Sequence, residues 1–139
     1  MLLELFINFD GNCRDAVNFY AKVFRSEVSN LMTYGEAPPE PGYEKPEADI
    51  NRVCYAGVKI GESVAMFCDI SSADEYSKGG NVCPTVSMPD KAEVVRVFNE
   101  LKEGGEVYFE LSPTFFSELY GTVEDKFGVV WNILHYVPK

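Results

Sequence analysis

The feature that most limits the fold of this chain is that its second half repeats the pattern of its first. Moving the sequence along by 78 residues lays Asn12 on Asp90, Asp15 on Glu93, Val17 on Val95, Tyr20 on Phe98 and Val23 on Leu101. Each set reads as a helix start: a capping side chain, an acid three residues on, then an apolar stripe at helical spacing. The first helix is predicted over "NCRDAVNFYAKVF", with Asn12 as its cap and Ala16, Val17, Tyr20, Val23 and Phe24 as its stripe. The second is predicted over "PDKAEVVRVFNELKEGG", capped by Asp90, with Glu93 completing a capping box and Gly104-Gly105 ending it. Around each helix the same strands recur: 2–9, 26–34, 52–60 and 63–69, then 82–88, 106–111, 118–124 and 129–136. Tight turns at Gly61-Glu62 and at Asp125-Lys126-Phe127-Gly128 close two of the hairpins. The order βαβββ therefore occurs twice, with little identity between the halves. A repeat this long is a duplicated half-domain and not a solenoid unit. We expect one domain, 1–139, made of modules 1–70 and 82–139 joined by a linker over 71–81.

The totals restrict function more than they define it. Net charge is −10, from 22 acids against 12 bases, which argues against nucleic acid and anionic membranes as partners. It admits cationic or neutral small ligands. No apolar run approaches the roughly 18 residues of a membrane span, and "MLLELFINFDGN" has neither the basic region nor the cleavage site of a signal peptide. A cytoplasmic location is expected. Cys13, Cys54, Cys68 and Cys83 lack zinc-ribbon spacing and are expected to be free thiols. His135 is the single histidine. Residues 34–49, "YGEAPPEPGYEKPEAD", are proline-rich, acidic and without periodicity, and are expected to form a mobile loop.

Paired βαβββ modules that open with "INFDGNCRDAVNFYAKVF" and close with "YGTVEDKFGVVWNI" resemble the vicinal oxygen chelate superfamily of glyoxalases, bleomycin-resistance proteins and extradiol dioxygenases. Within it the chain is most similar to the PhnB-like branch. The resemblance implies an α+β fold whose mixed sheets curl into a cup with helices outside, often in a homodimer. It also implies a divalent metal in the enzymes, held by one ligand from the first and last strand of each module. Those ligands are usually His, Glu or Gln. Counted on this chain, the positions fall on Leu5, on Ala65 or Met66, on Cys83 or Pro84, and on Asn132. These residues do not make a site for a hard or borderline divalent ion, so no metal and no cofactor is expected.

Asn132 then stands where the superfamily carries a carboxylate, on the cup face with Val130 and Leu134. It is either a polar contact for a ligand or an amide satisfied by its neighbours. Phe115, Phe116 and Tyr120 are placed at the mouth, where aromatics stack on a planar or apolar ligand. Phe9, with Leu5 and Ile7, is assigned to the cup face, and Met66 and Cys83 complete the candidate lining. Trp131 and His135 have the opposite parity to Asn132 and are expected to point towards the helices or solvent. The leading reading is a metal-independent small-molecule-binding protein that sequesters its ligand. The alternatives are a lyase, isomerase or dioxygenase with non-standard metal ligands, and a dimeric scaffold whose cup is filled by its own side chains.

Overall fold

The structure, a computed structural model, describes all 139 residues and divides into two compact units, Met1–Ser77 and Lys78–Lys139. In the first, β1 (Phe6–Phe9), α1 (Cys13–Val23), β2 (Val28–Thr33), β3 (Val53–Ile60) and β4 (Ser63–Asp69) follow one another. In the second the sequence is β5 (Thr85–Met88), α2 (Lys91–Leu101), β6 (Glu106–Ser112), β7 (Tyr120–Glu124) and β8 (Val130–His135). The sheets have matching orders, β1-β4-β3-β2 and β5-β8-β7-β6, and neither closes on itself. In each, the first strand runs parallel to the last while the remaining pairs are antiparallel. The fold is α+β, with βαβββ built twice.

Each helix lays its apolar stripe on one face of its own sheet. Val17, Tyr20 and Val23 of α1 are fully buried, as are Val94 and Leu101 of α2. Tyr20 stacks on Phe67 of β4 at 5.4 Å between ring centres, and Phe9 packs 6.3 Å from Phe67 and 6.5 Å from Tyr20. Burying side chains of this size contributes about 1.5–3 kcal/mol each. Phe9 is therefore core, 1% exposed. This corrects the assignment of Phe9, and with it the parity of Leu5 and Ile7, to the open face: Phe6 and Asn8 take that face instead.

The start of α1 also differs from expectation. Asn12 makes no side-chain cap. Asp69, at the end of β4, accepts from the Gly11 and Cys13 amides at 2.8 and 3.0 Å through one carboxylate oxygen. Its other oxygen accepts from the Val53 amide at 2.9 Å. The helix is thus capped by a residue far along the chain. In α2 the local rule holds, with Asp90 accepting from the Ala92 amide at 2.8 Å, while Glu93 pairs with Arg96.

The hairpin joining β7 and β8 is built by Asp125. One of its oxygens accepts from the Phe127 and Val129 amides, and the other accepts from the indole N–H of Trp131 at 2.8 Å. Gly128 takes φ +86°, which the turn requires and a side chain would resist. Trp131 is fully buried on the helix side, as its parity predicted. The acidic 34–49 segment is tied at both ends. Tyr34 and Gly35 donate to the carbonyls of Arg52 and Ile50, and buried Asp49 accepts from the Ser71 hydroxyl at 2.6 Å and the Ser72 amide at 3.0 Å.

Candidate functional site

The face of each sheet turned away from its helix is where open side chains collect, and the strand register says which residues meet there. In the second unit Asn132 lies between Thr85 on β5 and Thr122 on β7, and Leu134 lies between Ser87 and Tyr120. The side chains use this adjacency. Tyr120 and Thr122 both place a hydroxyl on the Asn132 amide oxygen, at 3.0 and 2.9 Å, and lie 3.1 Å from each other. The Asn132 amide nitrogen donates to Thr85 Oγ1 at 3.3 Å, and Thr85 donates on to the Cys83 carbonyl. The Asn132 backbone N–H is held by the Pro84 carbonyl at 2.9 Å.

Asn132 is therefore satisfied by side chains rather than left waiting, yet the cluster keeps capacity. Its amide has a second hydrogen. Tyr120 and Thr122 keep lone pairs after giving their protons to Asn132. The cluster can thus offer a donor and two acceptors to a molecule lying on the sheet.

Aromatic and acidic groups border it. Phe116 meets Tyr120 edge-on at 5.2 Å, and Phe115, wholly exposed, meets Phe116 edge-on at 5.1 Å. Phe109 of β6, 65% exposed, sits opposite Thr122. Tyr108 donates to Glu124 at 3.1 Å, and the carboxylate beside it raises its phenol above the usual range.

The same lattice points in the first unit carry other chemistry. Met66 lies between Phe6 and Gly57, as Asn132 lies between Thr85 and Thr122. The polar triad of one sheet is an apolar triad in the other. Gly57 is overlain by Ser29 and Tyr55: a Cβ there would meet Ser29 Oγ at 2.8 Å and Tyr55 Oη at 3.5 Å. Cys68 donates to Asn8 at 3.1 Å. Burial, followed by the charge of Asp69, raises the Cys68 thiol to about 11.

The predicted residues thus separate. Asn132, Tyr120, Phe116 and Phe115 come together, Met66 sits on the open face of the other sheet, and Phe9 is in the core. Cys83 precedes β5 and gives the cluster only its carbonyl. The partner of Asn132 is Thr85, because β5 starts after Pro84 and the register counts from there. Ala65, the alternative to Met66, is 4% exposed on the helix side. Thr85 and Thr122 were missed. Pairing residues outward from a turn at Asp125–Gly128 would put Thr122 opposite Trp131; the strands instead pair Glu124 with Val130, one residue further on, and this brings Thr122 opposite Asn132.

A ring, a thioether, a hydroxyl and an amide, at Phe6, Met66, Thr85 and Asn132, do not fit a hard or borderline divalent ion. The Asn132 oxygen is already taken by two hydroxyls. Nowhere do three His, Cys, Asp or Glu side chains gather in a way that could hold a metal.

Two βαβββ modules of this topology define a vicinal oxygen chelate protein of the PhnB-like branch. More narrowly, the chain belongs to the family described as 3-demethylubiquinone-9 3-methyltransferase, whose model matches residues 3–134. It is 28% identical over 142 residues to protein YjdN of Escherichia coli K12, covering 96% of this chain and 94% of that one. The crystal structure of PA1353 from Pseudomonas aeruginosa superposes with a TM-score of 0.88 at 27% identity, with 99% of each chain covered. A PhnB protein from Bacillus cereus, described as a putative 3-demethylubiquinone-9 3-methyltransferase, has a TM-score of 0.76 at 24% identity. The match covers 98% of this chain and 100% of that one and shows the shared fold. No helix is long and apolar enough to cross a membrane.

Proposed function

We propose that this protein binds a small molecule on the open face of its second sheet and needs no resident metal to do so. The observation that carries the reading is the hydrogen-bonded cluster of Tyr120, Thr122, Asn132 and Thr85 in the position the superfamily gives to a metal ligand. Neutral donors and acceptors bind by complementarity and cost little to desolvate compared with a carboxylate. The bordering Phe109, Phe116, Tyr108 and Glu124, with a net charge of −10, favour a planar cationic ligand over an anionic one. Sequestration requires only such a face.

The exposure of Leu2, Leu3, Phe6, Val82 and Val137, from 47% to 101%, favours self-association, and a homodimer is part of the proposal. A cytoplasmic location is part of the proposal as well. The test is a melting-temperature screen with aromatic amines and amidines, matched to their neutral and carboxylate analogues, on wild type and Asn132→Ala. A cationic compound should stabilise wild type by several degrees and the variant by much less. Equal shifts in the two proteins would remove Asn132 from the site.

The family's description favours a second reading, methyl transfer, which requires a methyl donor. Calorimetry with S-adenosylmethionine decides it: saturable binding supports the enzyme, and no heat supports sequestration.

A further inference from the structure

A carboxylate lies on the same open face as the Asn132 cluster. Glu124 stands opposite Val130, which shares the parity of Asn132, and it follows Thr122 by two residues along β7. On its other side it is paired directly with Glu106 of the edge strand β6. Two carboxylates facing each other across a strand pair repel, and neither of these takes part in an ion pair. Glu124 receives the Tyr108 hydroxyl on one oxygen, in a contact open to solvent. Tyr108 and Phe109 present exposed rings beside it, and rings of this kind attract cations.

The Asn132 amide defines the other end. It is planar and carries two hydrogens on Nδ2. Its oxygen is drawn to the Thr122 and Tyr120 hydroxyls on β7, and Nδ2 reaches Thr85 on the opposite side, on β5. The amide plane therefore spans the three strands. The hydrogen given to Thr85 is the one turned away from the amide oxygen, so the remaining one, on the oxygen's side, projects away from the sheet. Asn132 is half-buried and Thr85 is exposed, which leaves that hydrogen open to a ligand. Beside it, the Tyr120 oxygen keeps a lone pair once its proton is on Asn132. A donor next to an acceptor is the complement of a primary amide, whose carbonyl accepts while its N–H donates.

We propose that the ligand of this face is an aromatic amide with an ammonium group on the far side of its ring. The amide carbonyl accepts from Asn132 Nδ2, and the amide N–H donates to the Tyr120 oxygen. The ring lies over Val130 and Thr122 beside Phe109, and the ammonium sits on Glu124, where it also offsets the repulsion from Glu106. Asn132 and Glu124 are diagonal neighbours on adjacent strands, a separation of about 7–8 Å. A benzene ring substituted at opposite positions holds an amide and an aminomethyl group about that far apart. The inference rests on the reading of Asn132 above and narrows it. A plain aromatic amine or amidine satisfies Glu124 but brings no acceptor for the free Asn132 hydrogen.

The probes are p-aminomethylbenzamide, which has both ends, p-toluamide, which has only the amide, p-methylbenzylamine, which has only the ammonium, and the meta isomer of the first. Binding is read by NMR of the Asn132 side-chain amide in the 15N-labelled full chain, its pair of signals assigned by their loss in Asn132→Ala. On wild type, p-aminomethylbenzamide should bind about tenfold more tightly than either one-ended compound, and the meta isomer no more tightly than p-toluamide. Glu124→Gln, at a half-buried position next to the sheet edge, should reduce p-aminomethylbenzamide to the affinity of p-toluamide; should that variant fail to fold, the four-compound comparison on wild type stands alone. Three results would overturn the proposal: p-methylbenzylamine binding as tightly as p-aminomethylbenzamide, a meta isomer as tight as the para, or an unaltered affinity in Glu124→Gln. In each of these the Asn132 signals still respond to a ligand, so the earlier reading survives. If no compound moves them, both readings fall together.

Discussion

Replacing Asp69 tests how the first module is held together. The carboxylate is 1% exposed and is the acceptor for three backbone amides, two at the start of α1 and one at the start of β3. Asp69→Ala strips all three in one step. A buried donor left unsatisfied costs about 1–3 kcal/mol, but the amides share one site and some will reach water, so the losses will not add in full. A loss of about 3–5 kcal/mol is expected, at the top of the range for single substitutions. Asp69→Asn keeps one acceptor oxygen and turns an NH2 group against another N–H, so about half that loss should follow. Urea unfolding, followed by far-ultraviolet circular dichroism, measures both. The reasoning fails if Asp69→Ala costs less than about 1 kcal/mol, the value of an ordinary exposed cap, or if Asn is as damaging as Ala.

Other expectations follow from single observations. Trp131 is the only tryptophan and is fully buried with its N–H on Asp125; its emission should be blue-shifted, and Trp131→Phe should cost about 1–3 kcal/mol in urea unfolding through the lost indole hydrogen bond to Asp125 and lost packing. A Cβ at Gly105 would lie 2.0 Å from the Glu124 carbonyl oxygen, so Gly105→Ala must displace backbone and should lower stability by at least about 2 kcal/mol, whereas Gly42→Ala, where a Cβ meets nothing but φ is positive, should cost about 1 kcal/mol by the same urea measurement. Burial raises Tyr34 to about 12 and Cys68 to about 11. Both are held protonated by folding, so the stability they contribute is intact below pH 9, declines as pH rises above the ordinary thiol and phenol values, and is lost by about 12; melting temperatures flat across pH 9–12 would contradict this. Iodoacetamide at pH 8 should leave Cys13 and Cys68 unmodified in the folded protein, read by peptide mass spectrometry, and labelling as fast as in urea would refute their burial.

The architecture could be read from the sequence because the duplication and the two helical stripes are local patterns. Tyr20 and Phe98, Val23 and Leu101 carry the period that places a helix on a sheet, whereas Val95, matched to buried Val17, is 40% exposed. What escaped was whatever depends on register or on distant partners. "LLELFINF" is apolar at both parities, since Phe6 on the open face is as hydrophobic as Phe9 in the core, so alternation could not choose between them. Asn12 looks like a cap, but Asp69 arrives from β4, and no local signal announces a partner that far along the chain. At the candidate site, Asn132 was legible as an amide in an apolar strand. Thr85 was not, because its place depends on β5 beginning just after Pro84.

The central claim is that Asn132 and its hydroxyl neighbours stand in for a metal ligand and bind without one. The most direct measurement is the metal content of protein purified without a chelating tag, joined to melting curves in EDTA and with added Ni, Zn, Mn or Fe. A site that binds only the folded state would raise the melting temperature. The account predicts substoichiometric metal and melting temperatures that agree within a degree or so in every condition. One equivalent of a divalent ion, or a stabilisation of several degrees that EDTA reverses, would contradict it and restore a metal-dependent enzyme as the better reading.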